Sequence, residues 1–222
     1  MRTLAIGDIH GCRRALTTLL HGVKPTKKDQ VIFLGDYVDR GPDSPGVINT
    51  LLSLQSRSKT VFLRGNHEAM MLDARESFLK SEIWQNCGGF ETVISYGTEY
   101  RTDWESLVPD AHWSFLEKTV RTFEAPKQIF VHACLDPTLD LNEQSDWILF
   151  WEYFEKIRPH KTGKKVICGH TPHPKGLIAD IGYAICIDTG CVYGGWLTCL
   201  DVDSGHYWQA NEKGEIRQDK LD

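Results

Sequence analysis

Five short apolar runs in this chain end in side chains that can hold a divalent cation. Residues 3–6 lead into Gly7-Asp8-Ile9-His10-Gly11, and residues 31–34 into Gly35-Asp36-Tyr37-Val38-Asp39-Arg40-Gly41. Residues 60–63 lead into Arg64-Gly65-Asn66-His67-Glu68, residues 128–131 into His132, and residues 165–168 into Gly169-His170-Thr171-Pro172. Each run has the length and β-branched character of a buried strand. Ligands of open α/β sheets bind just beyond the carboxyl ends of such strands. Charged groups clustered there are costly to bury unless something pairs them, and a metal ion is a natural partner.

Asp8 and His10 lie two apart, so on an extended chain both side chains point the same way and can grip one ion. Asp36, at the end of the next strand, can bridge that ion to a second, whose shell Asn66, His132 and His170 complete. Oxygen and imidazole donors without thiolate suit manganese, iron or zinc, with manganese or iron favoured by the oxygen-rich shell. Two dications about 3.5–4 Å apart are a known device for in-line phosphoryl displacement, because they acidify a shared water and neutralise phosphate oxygens. Arg40 adds a bidentate clamp for those oxygens that lysine does not copy. His67 adjoins a ligand without needing to be one, and Asp39 can hold it protonated, which makes His67 the general acid for a leaving alkoxide. Taken singly, Asp8, Asp36 or Asn66 reads as a helix cap or turn former, and Arg40 as a salt-bridge partner of Asp39. Recurrence at five successive strand ends argues against that reading.

The elements that must position these residues alternate strand and helix. Helical spacing covers 13–21 and 47–54, the latter opened by Asp43-Ser44-Pro45, and a further helix starts near His67. Residues 70–127 read as a mostly helical insert, broken at Cys87-Gly88-Gly89 and Tyr96-Gly97, with Trp84, Trp104 and Trp113 as core. Another helical piece spans 147–157. Residues 183–187, 196–202 and 206–209 are strand-like and predict a second sheet packed on the first. The 222 residues predict one domain, 1–222, since no Pro/Gly/Ser-rich linker divides them. A formal net charge of −5 gives no basic footprint for nucleic acid or membrane. The first strand begins almost at Met1, no apolar run is long enough to cross a bilayer, and seven cysteines lack a C-x-x-C pair. A reducing cytoplasm is the expected compartment.

Together these motifs resemble the signature of the metallophosphoesterase superfamily, and more narrowly the phosphoprotein phosphatase family in its compact bacterial and phage form. The resemblance runs from the first strand to Gly195. It implies an α/β fold built as a two-sheet β-sandwich flanked by helices, with a dinuclear metal site at the carboxyl ends of the strands. It also implies ligand roles for Asp8, His10, Asp36, Asn66, His132 and His170, a proton donor and its orienting aspartate at His67 and Asp39, and a phosphate-binding arginine at Arg40. Arg64 matches an arginine that often precedes the third motif, and Tyr193 falls in a late loop that approaches phosphate in relatives. Many relatives place a second arginine after a tryptophan in the helix before the last histidine; here that stretch reads Phe150-Trp151-Glu152-Tyr153-Phe154. The expected activity is a two-metal serine/threonine protein phosphatase, extending to phosphotyrosine and aryl phosphates, with a phosphoprotein or phosphopeptide as partner. The alternative on the same fold is a dinucleoside polyphosphate hydrolase. Symmetrical hydrolases of that kind tend to carry alanine at the position of Asp39 and aspartate at that of Glu68. A catalytically dead scaffold would lack a ligand or His67, and none is missing.

Overall fold

Apolar side chains that alternate along a short strand face two sides, so each strand needs cover on both. The computed structural model of the chain describes residues 1–55, 57–99, 102–173 and 176–221. In order these form β1 (Thr3–Ile6), α1 (Arg13–Val23), β2 (Gln30–Phe33), α2 (Ser44–Gln55), β3 (Lys59–Phe62) and α3 (Asn66–Asp73). Next come α4 (Phe78–Trp84), a kinked turn at Gln85–Gly89, α5 (Phe90–Ser95), α6 (Asp110–Glu117) and β4 (Thr122–Glu124). The rest comprises β5 (Gln128–Val131), α7 (Asp146–Trp151), β6 (Lys165–Cys168), β7 (Ala179–Asp180), β8 (Ala184–Cys186), β9 (Leu197–Asp201), β10 (His206–Ala210) and β11 (Ile216–Lys220).

Two mixed sheets result, in the orders β11-β10-β9-β1-β2-β3 and β4-β5-β6-β8-β7. β1, β2 and β3 run parallel, as do β5, β6 and β8. The two-sheet expectation holds, but the tail does not supply the second sheet. β9 pairs antiparallel with β1 and carries β10 and β11 with it, so most of the tail widens the first sheet, while β8 joins the second. Strand-like residues disclose no pairing partner, which is why the sequence left this open.

Between the sheets lie Ala5, Ile32, Leu34, Leu63, Phe130, Ile167, Ile185 and Leu200. Full burial of a side chain such as Phe130 stabilises the sandwich by about 1.5–3 kcal/mol. The opposite face of the first sheet, with Leu4, Ile6, Val31 and Phe33, packs on Leu16 and Leu19 of α1 and on Ile48 and Leu51 of α2. In the second sheet Ile129, Val131, Val166 and Cys168 pack on Leu149 and Phe150 of α7. Cys168 and Cys186 are buried and register with each other across β6 and β8, as core residues do. The carboxyl ends of β1, β2, β3, β5 and β6 therefore open at one edge of the sandwich. None of the helices is long and apolar enough to cross a membrane among the described residues.

Candidate metal centre

The loops at that edge are held in unusual backbone. Seven non-glycine residues have positive φ among the described residues, and five of them are here: His10, Asp36, Asp39, Arg40 and His170. Left-handed backbone of this kind costs energy and clusters at functional sites. His10, at φ 46°, is in a turn and not on an extended chain, so the two-residue spacing from Asp8 does not align their side chains as an extended strand would. Glycines allow the closeness that follows. A Cβ on Gly169 would lie 2.0 Å from Asp8 Oδ1, and one on Gly65 would lie 2.1 Å from Asp36 Oδ1.

Glu68 ties two of the loops together. Its buried carboxylate accepts hydrogen bonds from the backbone N–H groups of Asp36 (2.8 Å), Tyr37 (2.7 Å) and Gly65 (2.9 Å). Burial and neighbouring Asp36 push its pKa up to about 7 against the pull of those donors. Besides standing in the first turn of α3, Glu68 thus fixes the loop that carries Asp36.

Asp36 is the centre of the cluster. Its carboxylate belongs to two groups of potential ligand atoms lying within 4.8 Å of one another, one with His10 and His67, the other with His132 and His170. His10 Nε2 is 3.4 Å from Asp36 Oδ2, and His132 Nε2 is 3.5 Å from Asp36 Oδ1. Asn66 Oδ1 completes the second group, 3.0 Å from His132 Nε2 and 3.2 Å from His170 Nδ1. His10 Nδ1 donates to the Val38 carbonyl (2.9 Å) and His132 Nδ1 to the Leu34 carbonyl (2.8 Å). Both rings thus turn an Nε2 lone pair into the cluster, the arrangement expected of histidine ligands. Asp8 stands beside these groups: its Oδ2 accepts the His170 N–H (2.9 Å), while its Oδ1 is buried without a hydrogen-bond partner.

Electrostatics agree with the donor set. Burial, Asp188 and Asp36 raise the Asp8 pKa well above its ordinary value. Burial alone would raise Asp36 too, but the surrounding imidazoles of His132, His67, His10 and His170 hold it below the usual carboxylate range. Burial lowers His10 to about 3 and His170 to about 4, so both are neutral and able to ligate near pH 7. An orphaned carboxylate oxygen, neutral imidazoles and a shared aspartate fit divalent cations, whose charge reverses the cost of crowding acids together.

His67 differs from the other histidines. Burial opposes its charged form, but Asp36 and hydrogen-bonded Asp39 outweigh burial and raise its pKa. Its Nδ1 is 2.7 Å from Asp39 Oδ2, and its Nε2 is buried with no protein partner. Arg40 is half-buried, with Nη1 2.8 Å from His10 Nε2 and its guanidinium carbon 5.8 Å from the centre of the Tyr193 ring. Tyr193 itself is 63% exposed.

Not every expected residue reaches the cluster. Arg64 turns away: its guanidinium donates to Thr119 Oγ1 (2.9 Å) and to the carbonyls of Leu116, Glu117 and Thr119 at the end of α6. Carbonyls at a helix end attract a cation more readily than the metal loops do. Conversely, Asp188 emerges as an addition. It is buried, accepts the Gly190 N–H at 3.0 Å, and burial together with Asp36 raises its pKa to about 7. Its place in the late loop was visible in the sequence, but its approach to Asp8 was not.

Comparison with known proteins follows the same lines. The sequence model of the calcineurin-like phosphoesterase family matches residues 1–195. A serine/threonine-protein phosphatase 1 of Salmonella typhimurium is 29% identical, over 89% of this chain and 90% of the relative. An asymmetrical bis(5'-nucleosyl)-tetraphosphatase, PrpE, of Geobacillus thermodenitrificans is 28% identical, over 88% of each chain. Among solved structures, a cold-active protein tyrosine phosphatase superposes with a TM-score of 0.69 at 15% identity, covering 98% of this chain and 78% of the other.

Proposed function

The chain belongs to the calcineurin-like phosphoesterase family, and from that premise we propose a two-metal phosphomonoesterase acting on phosphoserine and phosphothreonine in proteins. The whole chain, 1–222, forms its catalytic unit, with 70–127 as a mostly helical insert. Asp8, His10 and Asp36 hold one divalent cation, and Asp36, Asn66, His132 and His170 hold a second; manganese is preferred, with iron or zinc as substitutes. When bound, such ions activate a water for attack on phosphorus and neutralise charge on the phosphate oxygens. Arg40 grips two of those oxygens, and Tyr193 packs against its guanidinium. His67 gives the leaving oxygen a proton from Nε2, with Asp39 on Nδ1 keeping the ring charged until then. A reducing cytoplasm remains the proposed setting.

The observation that carries this reading is the buried His67–Asp39 pair at 2.7 Å. An alkoxide leaving a phosphomonoester is a strong base and needs a proton in the transition state, which a positioned acid supplies. A phosphate leaving a polyphosphate anhydride is a weak base and needs no such device. Similarity to the PrpE tetraphosphatase supports the nucleotide alternative as a second reading. Rates with manganese-loaded protein on a phosphoserine peptide and on diadenosine tetraphosphate separate the two. The proposal expects kcat/KM at least about tenfold higher on the peptide; a dominant nucleotide activity overturns it.

A further inference from the structure

The stretch from α4 to α5 has no motif of its own, yet it supplies two of the side-chain donors that Asp39 receives. Asp39 is fully buried, as are Trp84 at the end of α4 and Thr92 in α5. Trp84 Nε1 donates to Asp39 Oδ2 and Thr92 Oγ1 to Asp39 Oδ1, both at 2.8 Å. An indole N–H can only donate, and the Thr92 hydroxyl proton is committed to Oδ1. The two lone pairs of that hydroxyl face the Asp39 N–H (2.8 Å) and Ser44 Oγ (2.9 Å), so its capacity is filled. Asp39 is therefore an acceptor at both oxygens, and the remaining contact, with His67 Nδ1, must be donated by the imidazole. Of the two ring nitrogens that leaves Nε2, buried with no protein partner, as the atom through which a proton can pass to a substrate.

The local backbone is shaped to make these contacts. Residues eight apart in an unbroken α-helix lie about 80° apart around its axis. The chain kinks between Trp84 and Thr92, at Gly88 with φ 109°, so the two side chains are not bound to one helix axis and converge on one carboxylate. The Gly88 carbonyl also accepts the Arg40 N–H at 2.8 Å, so the same turn supports the neighbouring arginine.

We propose that Trp84 and Thr92 are positioning residues for the general acid: they hold Asp39 as an oriented acceptor, and through it set His67 with its transferable proton on Nε2. This rests on the proposed role of His67, and the test separates the two. The manganese-loaded enzyme is assayed for kcat on a phosphoserine peptide, whose alkoxide needs a proton, and on p-nitrophenyl phosphate, whose leaving group needs little. The measured quantity is the ratio of the two rates, which general loss of folded protein does not move. Trp84→Phe and Thr92→Val are each expected to lower the ratio about tenfold, part of the 10²–10⁴ that an acid contributes. Thr92→Ser, which keeps the hydroxyl, is expected to restore it, and His67→Asn to lower it most. If His67→Asn lowers the ratio while Thr92→Val and Trp84→Phe leave it at the wild-type value, the positioning role is refuted and the acid stands. If His67→Asn leaves the ratio unchanged, the acid reading fails and the positioning role falls with it. Near-UV circular dichroism checks folding; should Trp84→Phe fail to fold, the Thr92→Val and Thr92→Ser pair decides alone.

Discussion

His67 and its neighbour Asn66 show how one sequence position apart can mean two different jobs. Asn66 Oδ1 faces His132 and His170, whereas the His67 ring turns to Asp39 and stands edge-on to His10 with centroids 4.7 Å apart. Replacing His67 by Asn should therefore lower kcat on an alkyl phosphate by roughly 10²–10⁴ while the bound metal per chain, read by elemental analysis, stays at the wild-type value. A variant that keeps wild-type turnover would remove His67 from the mechanism. The residues of this kind legible in the sequence were those standing at strand ends, where apolar run and polar ending occur side by side. Arg64 satisfied the same local pattern, yet its long side chain reached the carbonyls at the end of α6 instead. Asp188, Trp84 and Thr92 were not legible as site residues, because the charge Asp188 brings near Asp8 and the bonds Trp84 and Thr92 make to Asp39 arise across the fold and leave no local spacing to read.

At the scale of elements, the turn between α4 and α5 depends on a glycine. Gly88 combines φ 109° with a carbonyl bonded to Arg40, and a Cβ there would meet Arg40 Cγ at 2.6 Å. Gly88→Ala should cost about 1–3 kcal/mol in urea unfolding, from backbone strain, and weaken inhibition by inorganic phosphate as Arg40 is displaced. Unchanged stability together with unchanged phosphate inhibition would show that the turn does not support Arg40. The sequence marked Cys87-Gly88-Gly89 as a break in a helical stretch, and the break is real; that it bends the chain around Asp39 was beyond reach. The strands of both parallel runs were legible from their apolar, β-branched residues, since all but the edge strand β3 are buried on both faces. β11 escaped notice because Ile216–Lys220 is exposed and polar along its length, and β4 because three residues give no period. The allocation of β9 and β10 to the first sheet depends on pairing, which no single segment encodes.

At the scale of the whole molecule, one ion pair fastens the start of β1 to the start of β2. Asp29 accepts from Arg2 Nη2 (2.8 Å), from the Arg2 N–H (3.0 Å) and from the Thr26 N–H (2.9 Å). The hydrogen-bonded Arg2 guanidinium, aided by Thr26 and opposed by burial, holds the Asp29 pKa below its ordinary value of 3.8. A depressed folded-state pKa stabilises the fold fully at pH well above 3.8, and that contribution is lost as pH falls through 3.8 toward the folded value. Solvent screening at the partly exposed Arg2 keeps it to about 1 kcal/mol. Asp29→Asn should thus cost about that much at pH 7 and flatten the acid side of the stability curve; an equal cost at pH 7 and pH 3 would contradict the assignment. The account as a whole depends on five strand ends converging on a shared Asp36. Anomalous scattering from crystals of manganese-reconstituted protein tests that convergence directly. Two manganese peaks are predicted on opposite sides of the Asp36 carboxylate, one beside Asp8 and His10, the other beside Asn66, His132 and His170. A single peak, or none, between those side chains would contradict it.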